Sequence, residues 1–132
     1  MKKKKMYHVT SIENLKSIMA NGIRSNTDGE IFLFDELDIW NPYVGDIFVS
    51  DHIAKNQVFL EKYVMIEINP KGIVDEVVND NVGEFTAPVQ WILSQIVIHQ
   101  KFLKVIGYRK GSFGLNGFYY EWYEPKEISN GN

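Results

Sequence analysis

The chain has 132 residues, of which 45% are hydrophobic, 14% aromatic and 23% charged, with a formal net charge of -3 and no cysteine. A chain of this length sustains one domain that buries roughly two thirds of its unfolded surface, and its apolar content excludes a disordered segment. The acidic balance gives no overall attraction to nucleic acid or anionic lipid, and the lack of cysteine excludes disulfides, thiolate zinc sites and cysteine nucleophiles.

Met1 to Lys5 is basic like the start of a signal peptide, but His8, Thr10, Ser11, Glu13 and Asn14 follow, so no apolar h-region is present. No run approaches the roughly 18 to 20 apolar residues of a membrane span. The expectation is a soluble, cytoplasmic protein that does not engage a membrane. There is no internal repeat or Gly/Pro/Ser-rich linker, so residues 1–132 are expected to form one domain, with a basic tail at 1–5 and a disordered tail at 126–132.

Met6–Val9 is predicted as a short strand. Thr10 with Glu13 three residues on has the pattern of a capping box, the reciprocal cap of a helix start, and the helix is predicted from Ser11 to Ala20. Ile12, Leu15, Ile18 and Met19 share one face of it, and Asn21-Gly22 supplies the left-handed stop. Ile31–Phe34 is a continuous apolar run of strand length, which predicts burial on both faces. Trp40–Tyr43 is irregular because Pro42 biases Asn41 away from helix. Ile47–Val49 reads as another strand, and Ser50 or Asp51 as the cap of a helix through about Leu60.

The clearest strand is Tyr63–Ile68, which alternates Val64, Ile66 and Ile68 against Tyr63, Met65 and Glu67 and ends at the turn Asn69-Pro70-Lys71-Gly72. Further strands are expected at Glu84–Thr86, Gln95–Ile98, Leu103–Ile106 and Gly117–Tyr123, with Asn116-Gly117 as a hairpin turn. Helices near the front followed by several strands predict an α+β domain.

Familiar chemical motifs are missing. His8, His52 and His99 are far apart in sequence, with no H-x-x-x-H pair, so no metal site is expected. The two common glycine-rich phosphate loops and the G-x-S-x-G elbow are absent. Asp35, Glu36, Asp38 and Glu84 allow a carboxylate pair, but acidic residues in such loops are usually solvated. The aromatic tail either stacks bases on a sheet surface or packs as one face of a strand.

What distinguishes the chain is "YHVTSIENLKSIMANGI", Tyr7 to Ile23. It resembles the front of the ADP-ribosyltransferase-like superfamily, especially the DNA ADP-ribosyltransferase toxins and the RNA 2'-phosphotransferases, in which a strand carries His, then Thr or Ser, then a helix ending in Gly-Leu or Gly-Ile. "IFLFDEL" at Ile31 to Leu37 resembles the family's second apolar strand. "YVMIEINPKGI" at Tyr63 to Ile73 resembles the strand after its helix, and "GEFTAPVQWILSQIVI" at Gly83 to Ile98 the late element in which a glutamate opens a strand.

The resemblance implies two small, twisted antiparallel sheets around an NAD cleft with flanking helices, and NAD as co-substrate. It implies transfer of ADP-ribose to a macromolecular acceptor, nucleic acid or protein. His8 would donate to the adenosine ribose, with Thr10 and Ser11 nearby, Arg24 at the pyrophosphate and Glu84 as the catalytic carboxylate. The aromatic against the nicotinamide would come from Phe32 or Phe34, or from the Ile47–Val49 segment. Departures from the pattern are the missing E-x-E, since Val82 stands two before Glu84, and phenylalanine where a tyrosine is usual. They leave open an inactive nucleotide- or protein-binding module of the same fold, or RNA 2'-phosphate transfer. A domain of this kind suits a phage or toxin-type effector. Lys2 to Lys5, with Lys101, Lys104, Arg109 and Lys110, would supply basic flanks for a nucleic-acid acceptor.

Overall fold

The alternating run at Tyr63–Ile68 becomes the centre of the fold. In the computed structural model, which describes residues 4–35, 60–79, 91–114 and 117–123, it extends to β4 (Leu60–Ile68), flanked by β1 (Met6–Ser11) and β8 (Leu103–Gly114). β9 (Gly117–Tyr123) completes an antiparallel four-stranded sheet of order β1-β4-β8-β9. β1 pairs along its whole length, from Met6 opposite Ile68 to Ser11 opposite Tyr63. A bulge between Met65 and Ile66 shifts the β4–β8 register, a feature that bends a strand and increases its twist. β8 and β9 form the expected hairpin, with Gly114 opposite Gly117 as its last pair.

Because side chains alternate across a strand, β4 serves two packing layers. Val64, Ile66 and Ile68 join Met6, Ile18, Ile23, Ile31, Leu33, Leu93 and Ile98 in the main core. Met65 lies in a smaller cluster with Tyr7 and Phe34. Each fully buried aliphatic side chain in these layers contributes about 1.5–3 kcal/mol.

The first helix differs from the expectation. β1 runs on through Thr10 and Ser11, a 3-10 turn occupies Ile12–Asn14, and α1 is confined to Leu15–Asn21. Neither N-terminus has a side-chain cap, so the Thr10/Glu13 capping box does not form. The ladder to β4 holds Thr10 and Ser11 extended opposite Val64 and Tyr63, and that pairing overrides the local signal. On the apolar face Ile18 is buried and Ile12 and Leu15 pack against the core, whereas Met19 is exposed. The stop is as expected: Gly22 has φ 83° and its N–H donates to the Ile18 carbonyl at 2.7 Å.

Two smaller antiparallel sheets complete the described residues. β2 (Ile23–Arg24) pairs with β7 (Val97–Ile98), and β3 (Ile31–Leu33), β6 (Trp91–Leu93) and β5 (Val77–Asn79) form a sheet of order β3-β6-β5. Ile31 and Leu33 are buried and Phe32 is half-buried, close to the burial expected of that run. Tyr7 and Phe34 exchange backbone hydrogen bonds of 2.8 and 2.7 Å, which tie the β3 sheet to β1.

The Asn69–Gly72 turn forms as a 3-10 turn capped by the Asn69 side chain, which accepts from the Lys71 N–H at 3.0 Å. Of the predicted Gln95–Ile98 strand only Val97–Ile98 is strand, because Gln95 is drawn inward. Its Nε2 donates to the carbonyls of Gly72 (2.9 Å) and Val97 (2.7 Å), and its Oε1 accepts from the Val74 (2.9 Å) and Asp75 (3.3 Å) N–H groups.

The architecture of the described residues is thus mixed α+β, built from small antiparallel sheets and one α-helix, with three sheets where two were expected. Leu60, predicted at a helix end, is strand and pairs with Ser112. Trp40–Tyr43, Ile47–Val49, the helix start at Ser50 or Asp51, the Glu84–Thr86 strand and the 126–132 tail lie outside the described residues. No helix of the described residues is long and apolar enough to cross a membrane.

Candidate functional site: a polar cleft between β1, α1 and β2

A cleft of about 230 Å³ opens where β1, α1 and β2 meet. β1 contributes His8 and Thr10, two residues apart and hence on one face of the strand. The turn and α1 contribute Asn14, Ser17 and Ile18, at the three- and four-residue spacing that aligns side chains on one helical face. The chain reverses at Gly22, and Ile23 and Arg24 of β2 close the wall. A side chain at Gly22 would be strained at φ 83°, and its Cβ would run into the carbonyl oxygen of Ile98 on β7. Glycine therefore sets how closely β2 approaches β7.

His8 is held in one tautomer. Its Nδ1 lies 2.9 Å from the Phe32 carbonyl oxygen. A carbonyl only accepts, so Nδ1 carries the proton and donates. In the neutral ring Nε2 is then a bare acceptor. Burial of the half-buried ring pushes its pKa below 6.5, which outweighs the opposing effect of the Phe32 hydrogen bond, so the ring is neutral at pH 7. The histidine expected to donate to a ligand instead offers a lone pair. Beside it, Asn14 Nδ2 donates to Thr10 Oγ1 at 2.9 Å, leaving the Thr10 hydroxyl proton to be donated elsewhere.

Among the described residues the lining contains one permanent charge, the Arg24 guanidinium, and no carboxylate. Such a wall suits a small polar anion that also carries hydroxyl groups: a cation for the negative charge, a donor at Thr10 and an acceptor at His8. Among the described residues no three His, Asp or Glu are grouped so as to hold a metal ion.

The residues singled out in the sequence are only partly gathered here. His8, Thr10 and Arg24 line the cleft together. Ser11 is the last residue of β1, in the alternate position from Thr10, and is not part of the lining. Phe32 supplies its carbonyl to His8, but neither it nor Phe34 lines the cleft; Phe34 is buried with Tyr7 and Met65. Glu84 lies outside the described residues. Asn14 and Ser17 were missed. Their signal was the spacing from Thr10 and from each other, which becomes informative once Thr10 is known to face inward.

Of the basic residues singled out in the sequence, Lys2 and Lys3 lie outside the described residues, and several of the others have local partners. Lys4 Nζ sits 5.8 Å from the Trp91 ring centroid, Lys5 pairs with Glu67 at 3.3 Å, and Lys101 lies over its neighbour Phe102. Arg109 is buried opposite Tyr63, so it presents no charge to a surface ligand. No protein-family model matches the chain, and no curated protein matches it either.

Proposed function

We propose that the protein is an NAD-dependent ADP-ribosyltransferase acting on a macromolecular acceptor. The observation that carries this reading is the convergence of His8 and Thr10 of β1 with Arg24 of β2 on one polar cleft. Ligand sites usually measure about 300–1,000 Å³. A space of about 230 Å³ therefore holds part of a dinucleotide, a ribose with its phosphate. In this reading His8 and Thr10 take ribose hydroxyls and Arg24 the pyrophosphate. Glu84 is assigned the charge that develops on the other ribose as nicotinamide departs with the bonding electrons; a preorganised carboxylate there stabilises oxocarbenium character and orients the incoming nucleophile.

A second reading is favoured by one observation. Phenylalanine stands at Phe32 and Phe34 where the resemblance expects a tyrosine, which favours an inactive nucleotide-binding module of the same architecture. Calorimetry with NAD, followed by mass spectrometry for free nicotinamide in the presence of DNA, RNA or cell extract, separates the two. Binding with acceptor-dependent nicotinamide release supports the transferase. Binding without release under every acceptor supports the module, and absence of binding overturns both.

A further inference from the structure

Two hydrogen bonds within the cleft fix the polarity of its β1 wall. Phe32, from β3, holds the Nδ1 proton of His8, and Asn14, from the turn before α1, occupies a lone pair of Thr10 Oγ1. Strand geometry separates the two side chains by about 7 Å along β1. Nε2 of His8 has no hydrogen-bond partner among the described residues and is not one of their sealed, unpartnered buried atoms. The wall therefore offers an acceptor at His8 and a donor at Thr10, with the Arg24 cation as a third corner.

We propose that this fixed polarity is a specificity device: the cleft accepts a sugar whose hydroxyl meets His8 free and rejects the same sugar when that hydroxyl is phosphorylated. The inference rests on the reading that a nucleotide ribose occupies the cleft. A free hydroxyl donates its proton to Nε2. A phosphate monoester, whose second pKa is about 6, is a dianion at pH 8 with no proton to donate, so its oxygen lone pairs face the imidazole lone pair. Moving the proton to Nε2 would satisfy the phosphate but strand the Phe32 carbonyl, and a second proton, which would serve both sides, would have to charge a ring whose burial disfavours that charge. Sites that hydrogen-bond a substrate group discriminate strongly against analogues that cannot complete the bond.

The experiment has two arms. Long-range proton–nitrogen correlation of the histidine rings in the ligand-free protein at pH 8 should show His8 as the Nδ1–H tautomer; finding Nε2–H overturns the polarity whatever the protein binds. Calorimetry at pH 8 should then show NAD binding at least about tenfold more tightly than dinucleotides phosphorylated at the 2' or 3' hydroxyl of the adenosine ribose. Equal affinity for NAD and both phosphorylated forms overturns the discrimination and leaves the nucleotide reading intact. Failure of NAD itself to bind overturns the nucleotide reading, and the discrimination with it.

Discussion

The Nδ1 atom of His8 lies 2.9 Å from the carbonyl oxygen of Phe32, 24 residues further along the chain, and donates its proton to it. This bond ties β1 to β3 and at the same time decides what the cleft presents to a ligand.

Stability should follow His8 through acid pH. Its folded-state pKa lies below 6.5 because burial disfavours the charged ring, so the unfolded chain takes up the proton first. The contribution is complete above 6.5 and is lost as the pH falls from there through the folded-state pKa, by at most about 1.4 kcal/mol per pH unit. Urea unfolding of wild type and His8→Leu at pH 8, 6.5 and 5.5 should show a stability difference between them that shrinks on acidification. A constant difference would show that the ring titrates alike in both states.

Gln95 should be among the most sensitive polar positions. It is buried and makes four hydrogen bonds that join the Gly72–Asp75 segment to β7. Gln95→Ala leaves groups such as the buried Gly72 carbonyl without their partner, at about 1–3 kcal/mol for each one that water cannot reach. Gln95→Glu should be worse, since it sets carboxylate oxygens against two carbonyls. Denaturant midpoints rank the two variants, and a Gln95→Glu protein as stable as wild type would contradict the network.

Gly22→Ala should cost more than about 2 kcal/mol, combining the left-handed backbone penalty with a contact between the new Cβ and the Ile98 carbonyl. Gly29→Ala is the control. Gly29 also has a positive φ, 77°, but its Cβ would meet nothing within 4 Å, so only the backbone penalty applies. Thermal unfolding should place Gly22→Ala well below Gly29→Ala.

Asn14→Ala should leave the fold nearly intact, because Asn14 is exposed, yet weaken NAD binding several-fold by freeing the Thr10 hydroxyl to turn. Calorimetry alongside a thermal melt reads both effects. A fall in melting temperature with unchanged affinity would make the Asn14–Thr10 bond purely structural.

Glu84→Gln should lower nicotinamide release by at least about 100-fold with little change in NAD affinity, since the carboxylate acts on charge that exists in the transition state. Parallel loss of affinity and turnover would point instead to a role in holding the ligand.

Local pattern alone determined the β4 core, the Asn69–Gly72 turn, the β8–β9 hairpin and the Gly22 stop, because each depends on alternation or on a residue suited to one backbone conformation. The stretch Tyr7 to Ile23 contained His8 and Thr10 and supplied the resemblance that singled them out, and Arg24 follows directly on its end. What it left undecided was pairing. Thr10 had the pattern of a helix cap until the β1–β4 ladder claimed it, and Gln95 looked like a strand residue until three backbone groups of the Gly72–Asp75 segment converged on it together with the Val97 carbonyl. β2, β5 and β6 are too short to announce themselves and exist because neighbouring strands supply their hydrogen bonds. The direction of the His8 proton was set in the same way. Imidazole permits either tautomer, and only the arrival of a carbonyl from β3, 24 residues away, makes one nitrogen the donor and leaves the other as an acceptor at the cleft.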